Sequence, residues 1–241
     1  MNITNTKDYQ NFTTYLYTLK DEKYKNFHQK LLKNDNIKLI GIRTPLLKKL
    51  AKEISINPNY YINNNHNTYE EILIHGLTLG YLKIEFKKLL NLLDKFIPYI
   101  DNWATCDLTI SNLKQFKKNQ MEGFKYIKKC VKNKNIWKQR VGIVLINSYY
   151  INDKYIKEII KLLQELKTDE YYVQMAIAWT LSTCYIKYPN ITINILKEKK
   201  LSPIIHNKTI QKIIESTRID KEIKEKLKQL KIKTWKSLFF I

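Results

Sequence analysis

The stretch EYYVQMAIAWTLSTCY, residues 170–185, decides the fold class. Wound into a helix, it carries apolar or aromatic side chains on nearly every side, so other helices must cover it all round. It therefore predicts the inside of a helical array. Outward from it, apolar residues recur at three- and four-residue spacing almost everywhere, with no sustained strand alternation. Only five glycines and five prolines punctuate the chain. An all-α protein follows.

Helix-start signals mark the elements. Thr44 followed by Pro45 reads as an N-cap with proline at the first helical position, and Thr68 with Glu71 has capping-box spacing. Asp101, Thr168, Asn207 and Asp220 are further caps. The predicted helices are 7–19, 21–33, 45–54, 69–82, 85–96, 102–111, 120–131, 136–151, 154–166, 170–185, 191–197, 208–216 and 221–230. Short loops favour antiparallel neighbours, and a spacing of about 35 to 45 residues matches stacked helix pairs. No clean internal sequence repeat is present. The reading is a curved array of loosely diverged HEAT-like helix pairs, an α-α superhelix, with an irregular bundle as the alternative. It treats 1–241 as one domain, with a peripheral N-terminal helix (1–20) and a basic, aromatic C-terminal tail (231–241).

With 241 residues, the chain is long enough to bury roughly three quarters of its unfolded surface. Its formal charge of +21, from 43 basic and 22 acidic residues, is too large for an ordinary enzyme of neutral metabolites. It predicts a polyanionic partner. Nucleic acid fits best, because neutralising phosphates releases condensed counterions without any base contact. Compositional bias toward Lys, Asn and Ile is the competing source of the charge. No run of about 18 apolar residues and no apolar leader core occurs, which predicts a cytoplasmic protein with no membrane partner. Among so many lysines there are three arginines, Arg43, Arg140 and Arg218, so positions that use the planar fork stand out.

Cys106, Cys130 and Cys184 lie far apart and read as reduced thiols. His28, His66, His75 and His206 show no metal-ligand spacing. The reading predicts no metal, no cofactor and a monomer.

The segment DNWATCD, residues 101–107, holds the densest chemistry. Trp103 and Asp107 are four apart, so on a helix they share a face and can converge on one target. A core tryptophan beside a solvent-facing aspartate has the same spacing. Downstream, IWKQRVGIV sets Arg140 three residues after Trp137, and YYVQMAIAWTLS sets Trp179 in the most apolar helix. Core filling is the alternative for both tryptophans, and a surface salt bridge for Arg140.

These segments, with GIRTPLLKKLAKEI (41–54) and NKTIQKIIEST (207–217), resemble the DNA alkylation repair enzymes of the AlkD-like, HEAT-like repeat class, in its shorter, more compact branch. The resemblance covers roughly residues 20–230. It implies a curved stack of helix pairs that cradles duplex DNA, whose glycosylase members excise cationic N3- or N7-alkylated purines. Carried over by motif, it implies Asp107 as catalytic carboxylate, Trp103 and Trp179 as aromatic walls, and Arg140 as a phosphate contact. Tyr24 corresponds to an amino-terminal aromatic, in a region where the match is loose. Arg43, Lys48 and Lys138 join the expected DNA-binding residues.

The residue types suit the reaction on their own terms. An alkylated purine is already a cationic leaving group, so what needs stabilising is the charge that grows on the deoxyribose. A carboxylate can do that and can orient water, while indole faces favour cations by roughly 0.5–2 kcal/mol. The lysine-rich segments LKKLAKEI, FKYIKKCVKNKN and KEIKEKLKQLKIKTWK are either solvated faces or a DNA footprint. The tail with Trp235, Phe239 and Phe240 either caps the last repeat or meets a partner. Besides a monofunctional glycosylase, a noncatalytic DNA-binding module and a protein-interaction scaffold remain open.

Overall fold

A computed structural model describes residues 1–32 and 36–233, and these are helical with no strand. They form two compact units, Met1–Asn119 and Gln120–Ile241.

The first unit contains α1 (Thr6–Thr18), α2 (Glu22–Leu32), α3 (Thr44–Ile54), a single turn α4 (Asn59–Ile62), α5 (Tyr69–Leu79), α6 (Phe86–Phe96) and α7 (Trp103–Asn112). Its centre is α5, where every residue but Ile72 is buried. α3, α6 and α7 all pack on it. α3 and α6 carry a buried stripe (Leu47, Leu50 and Ile54; Leu89, Leu93 and Phe96) and a charged outer face, the pattern of helices covered on one side. Gly76 makes the seat for α7. A Cβ there would strike the Thr109 hydroxyl of α7 and come within 2.6 Å of the Phe96 ring. Asn112 then ties the end of α7 to α5, its Nδ2 donating to the Leu77 carbonyl at 2.8 Å.

The second unit contains α8 (Gln120–Val131), α9 (Ile136–Tyr149), α10 (Ile156–Glu165), α11 (Tyr171–Lys187), α12 (Pro189–Glu198), α13 (Pro203–Glu215) and α14 (Lys221–Gln229). Its centre is α11, the helix of the deciding stretch, packed by α9, α10, α12 and α13. Val173, Ala176, Ile177, Ala178, Leu181 and Cys184 are almost wholly buried along it. α8 pairs with α9, and α13 with α14. Within each unit the inner helices lie next to one another while their chain neighbours cover them (α3, α5 and α7; α9, α11 and α13). This is the packed-pair arrangement from which α-α superhelices are built.

Several starts differ from the sequence reading, each for a local reason. α13 begins at Pro203, because Ser202 accepts from the Ile205 amide at 3.4 Å and proline opens the helix. Asn207, the expected cap, sits inside α13 and binds both backbone groups of Ile232 at 2.8 Å. α7 is capped by Asn102, whose Oδ1 accepts from the Thr105 amide at 2.9 Å, and Asp101 in turn accepts from Asn102. Glu170 holds the cap position of α11, with Thr168 bonded to its amide. Arg43 precedes α3, so Thr44 is its first residue. Asp220 precedes α14 without a side-chain cap bond. The Thr68–Glu71 capping box is formed.

All three cysteines are buried and outside any disulfide, and burial pushes Cys184 up to about 12. No helix among the described residues is long and apolar enough to cross a membrane. Trp235, Phe239 and Phe240 lie outside the described residues.

Candidate functional site

In the first unit the site begins on α7. Ala104, Thr105, Cys106, Thr109, Ile110 and Asn112 are buried, so the helix opens to the surface only along Trp103, Asp107, Leu108 and Ser111. Trp103 and Asp107 are both half-buried. Four residues of helix separate them by about 6 Å along the axis. Trp103 packs against the core to which α1, α3 and α5 contribute. This is an aromatic face and a carboxylate on one stripe, with Trp103 packed on the core beneath it.

Tyr24 and Arg43 form a second cluster. The Arg43 guanidinium lies 5.1 Å from the centre of the Tyr24 ring, and its Nε and Nη2 donate to Asp21 Oδ2 at 3.1 and 2.9 Å. The Tyr24 amide, donating to Asp21, and the Arg43 guanidinium hold the Asp21 carboxyl below its ordinary value. The Arg43 side chain remains 66% exposed, so it can reach an outside anion.

What places Arg43 is Glu70. Its fully buried carboxylate accepts from the amides of Ile40, Gly41 and Ile42 at 2.9, 2.7 and 3.2 Å, latching that loop to α5. Gly41 has φ +101°, and a Cβ there would lie 2.7 Å from Lys25 Cβ and 2.8 Å from the Asp21 carbonyl. Only glycine fits both the space and the backbone.

Tyr69 connects to the second cluster through His28. Its ring makes an edge contact with His28 at 4.9 Å, and His28 lies 5.4 Å from Tyr24. Burial, then the charges of Tyr24, Glu70 and Asp101, raise the Tyr69 pKa. Its buried hydroxyl has no hydrogen-bond partner among the described residues.

In the second unit, Trp179 is 37% exposed at the middle of α11, so it does not fill the core. It continues a stripe of half-buried Tyr172, Met175 and Thr183 on a helix otherwise enclosed. Ser182 and Thr183 both donate to the Trp179 carbonyl, at 2.7 and 3.1 Å. Arg140 is 5% exposed, and its Nη1 donates to the Tyr172 carbonyl, joining α9 to the first turn of α11. Lys138 is half-buried in the first turn of α9, where its amide donates to the Asn135 cap at 2.9 Å.

The structure thus brings Trp103 together with Asp107 and Tyr24 together with Arg43. Lys48 stands exposed on the outer face of α3. Sequence reasoning missed Asp21, Glu70, Tyr69 and Tyr172. For Glu70 a signal existed: a second acid beside the capping-box glutamate, in a helix otherwise apolar. Asp21 sits three residues before Tyr24, the spacing of a side-chain cap. Nothing in the sequence marks the Tyr172 carbonyl as the acceptor for Arg140.

The chain matches the family model described as DNA alkylation repair enzyme over residues 12–214, and it belongs to that family. The match takes in both α7 and α11. Family membership gives the role, repair of alkylated DNA, and the partner, DNA. No curated protein matches the chain.

Proposed function

We propose that this protein is a monofunctional DNA glycosylase that hydrolyses the N-glycosidic bond of cationic N3- or N7-alkylated purines in duplex DNA. The observation that carries the reading is the open stripe of α7, where half-buried Trp103 and Asp107 share one face of a mostly buried helix, in a member of the alkylation repair family.

The bond from C1′ to the purine nitrogen breaks with its electron pair going to the base, which neutralises the alkylpurine. Positive charge passes to the deoxyribose. Asp107 stabilises that charge and orients a water whose oxygen bonds to C1′, while the water's proton passes to the carboxylate and on to solvent. Trp103 and Trp179 offer faces to cationic species. Arg140, anchored to the Tyr172 carbonyl, takes in addition a phosphate of the bound strand. Tyr24 and Arg43 hold backbone through the latched 40–42 loop, and Lys48 and Lys138 add charge. The array of HEAT-like pairs, monomeric and without cofactor, is the scaffold of this reading.

The test is single-turnover release of 7-methylguanine from methylated duplex DNA, wild type against Asp107→Asn. Loss of an electrostatic stabiliser predicts a fall of about 100-fold or more, with the melting temperature retained. Unchanged release removes Asp107 from the mechanism. Binding without release in the wild type replaces the glycosylase with a noncatalytic binder.

A further inference from the structure

A second surface, in the unit formed by Gln120–Ile241, includes Tyr171, Lys134 and Lys167, to which the excision chemistry assigns no role. Where α9 and α11 begin, three aromatic rings gather. Trp137 lies 5.1 Å from Tyr172 at an interplanar angle of 33°, and Tyr171 meets Tyr172 edge-on at 5.5 Å and 73°. Tyr171 is 62% exposed, an unusual state for a tyrosine already held by a neighbouring ring. The cluster therefore presents a pre-oriented aromatic face and loses little side-chain entropy on binding.

The segments that lead into α9 and α11 also line an open cleft of about 620 Å³. Its wall includes Lys134, Lys167 and Lys200, with Gln139, Thr168 and Ser202 as further polar groups. The two features share the same chain segments. Lys134 precedes the Asn135 cap of α9 by one residue, with Trp137 in the next turn, and Lys167 lies four residues before Tyr171. Cations and rings thus lie within four residues of one another along the chain. Asp169 and Glu170 also line the cleft. They repel phosphate at their end but accept hydrogen bonds from the amino groups of bases.

Lysines set beside an exposed aromatic face and acceptors suited to base amines fit one ligand class. In a duplex, base faces are covered by their neighbours and cannot stack on a protein ring. An unpaired strand offers a base face and a phosphate within one nucleotide. We propose that this surface is a binding subsite for single-stranded DNA, with bases stacking on Tyr171 against the Tyr172–Trp137 support and phosphates following Lys134 and Lys167. It stands apart from the reading of Asp107 and holds whether or not the protein excises bases. The subsite gives the protein a grip on unpaired DNA.

The test uses the full chain and a fluorescently labelled single strand of about ten cytosines, a length within the usual site sizes. Binding is read by anisotropy as a function of salt, with an unmodified duplex measured in parallel. Tyr171→Ala removes an exposed side chain, so the fold should persist, as the circular dichroism spectrum and melting temperature will report. Affinity for the single strand should fall about tenfold, while duplex affinity changes by less than about twofold. Lys134→Ala with Lys167→Ala should reduce the salt slope on the single strand by about 1.4. A wild type that shows no saturable binding of the single strand at low salt overturns the proposal. So does a Tyr171→Ala protein that binds the single strand as wild type does, or that loses both ligands equally.

Discussion

Removing the Glu70 carboxylate tests the link between the buried core and the site. Its two oxygens satisfy three backbone amides, at 2.9, 2.7 and 3.2 Å, in a place with no solvent access. In Glu70→Ala those amides lose their acceptor, and each buried donor left unsatisfied costs about 1–3 kcal/mol. Against this, a buried charge no longer has to be desolvated. The balance is a loss of about 3–5 kcal/mol, a large share of the roughly 5–15 kcal/mol that stabilises a domain. Glu70→Gln keeps one acceptor oxygen but turns an NH₂ toward a backbone N–H, so it should lose about 2 kcal/mol. Urea denaturation at fixed m-value measures both. Amide exchange at Ile40, Gly41 and Ile42 should accelerate first, because the loop opens before the core. DNA affinity should fall even where the protein remains folded, because Arg43 is placed by that loop. A Glu70→Ala protein that loses less than about 1 kcal/mol, or whose three amides stay protected, would refute the latch.

Two further predictions concern the same unit. Gly76→Ala should destabilise by about 1–3 kcal/mol through overpacking against Thr109 and Phe96; adding Thr109→Ala should recover part of this, and additive losses in that double-mutant cycle would show that α5 and α7 do not meet as described. Burial lowers His66 to about 4 and His75 to about 3, in a network where His66 Nε2 lies 3.0 Å from His75 Nδ1 and Tyr9 lies 3.0 Å from His66 and 2.7 Å from Glu71. The unfolded chain takes up protons near pH 6.5 that the folded rings refuse. Stability should therefore be full above about pH 6.5 and decline as pH falls toward 4 and then 3. Urea midpoints between pH 7 and 4 check this, and His75→Phe should flatten the acid limb; a wild-type midpoint that holds steady over that range contradicts the buried neutral pair.

How much of this was legible beforehand depended on how local the signal was. Residues 170–185 announced an enclosed helix because periodicity is a property of neighbouring residues, and α11 is that helix. The Thr68–Glu71 box was equally local, and it forms. The spacing of Trp103 and Asp107 told that they share a face but not whether the face was open. Their half-burial, on a helix whose residues are mostly buried, came only from packing. Long-range pairings left no trace in the pattern. Glu70 meets amides 28 to 30 residues away, and Arg140 meets a carbonyl 32 residues away. The start of α13 differs for another reason: Ser202–Pro203 has the cap-then-proline pattern that opens a helix, and it does so ahead of Asn207.

The missed residues also bear on function. Arg43 is one of three arginines in a lysine-rich chain, and its environment shows why lysine would not serve: one edge of the fork grips Asp21 through two nitrogens while the plane lies over Tyr24. An ammonium could satisfy the carboxylate but could not stack at the same time. Glu70 and Gly41 then fix the loop beneath it, so its orientation is set by α5, the helix that also seats α7. The buried face of α5 thereby positions Arg43 and the Trp103–Asp107 stripe alike. A defect at either contact should therefore be felt at both clusters, whereas a defect confined to the outer face of α3, at Lys48, should alter charge alone.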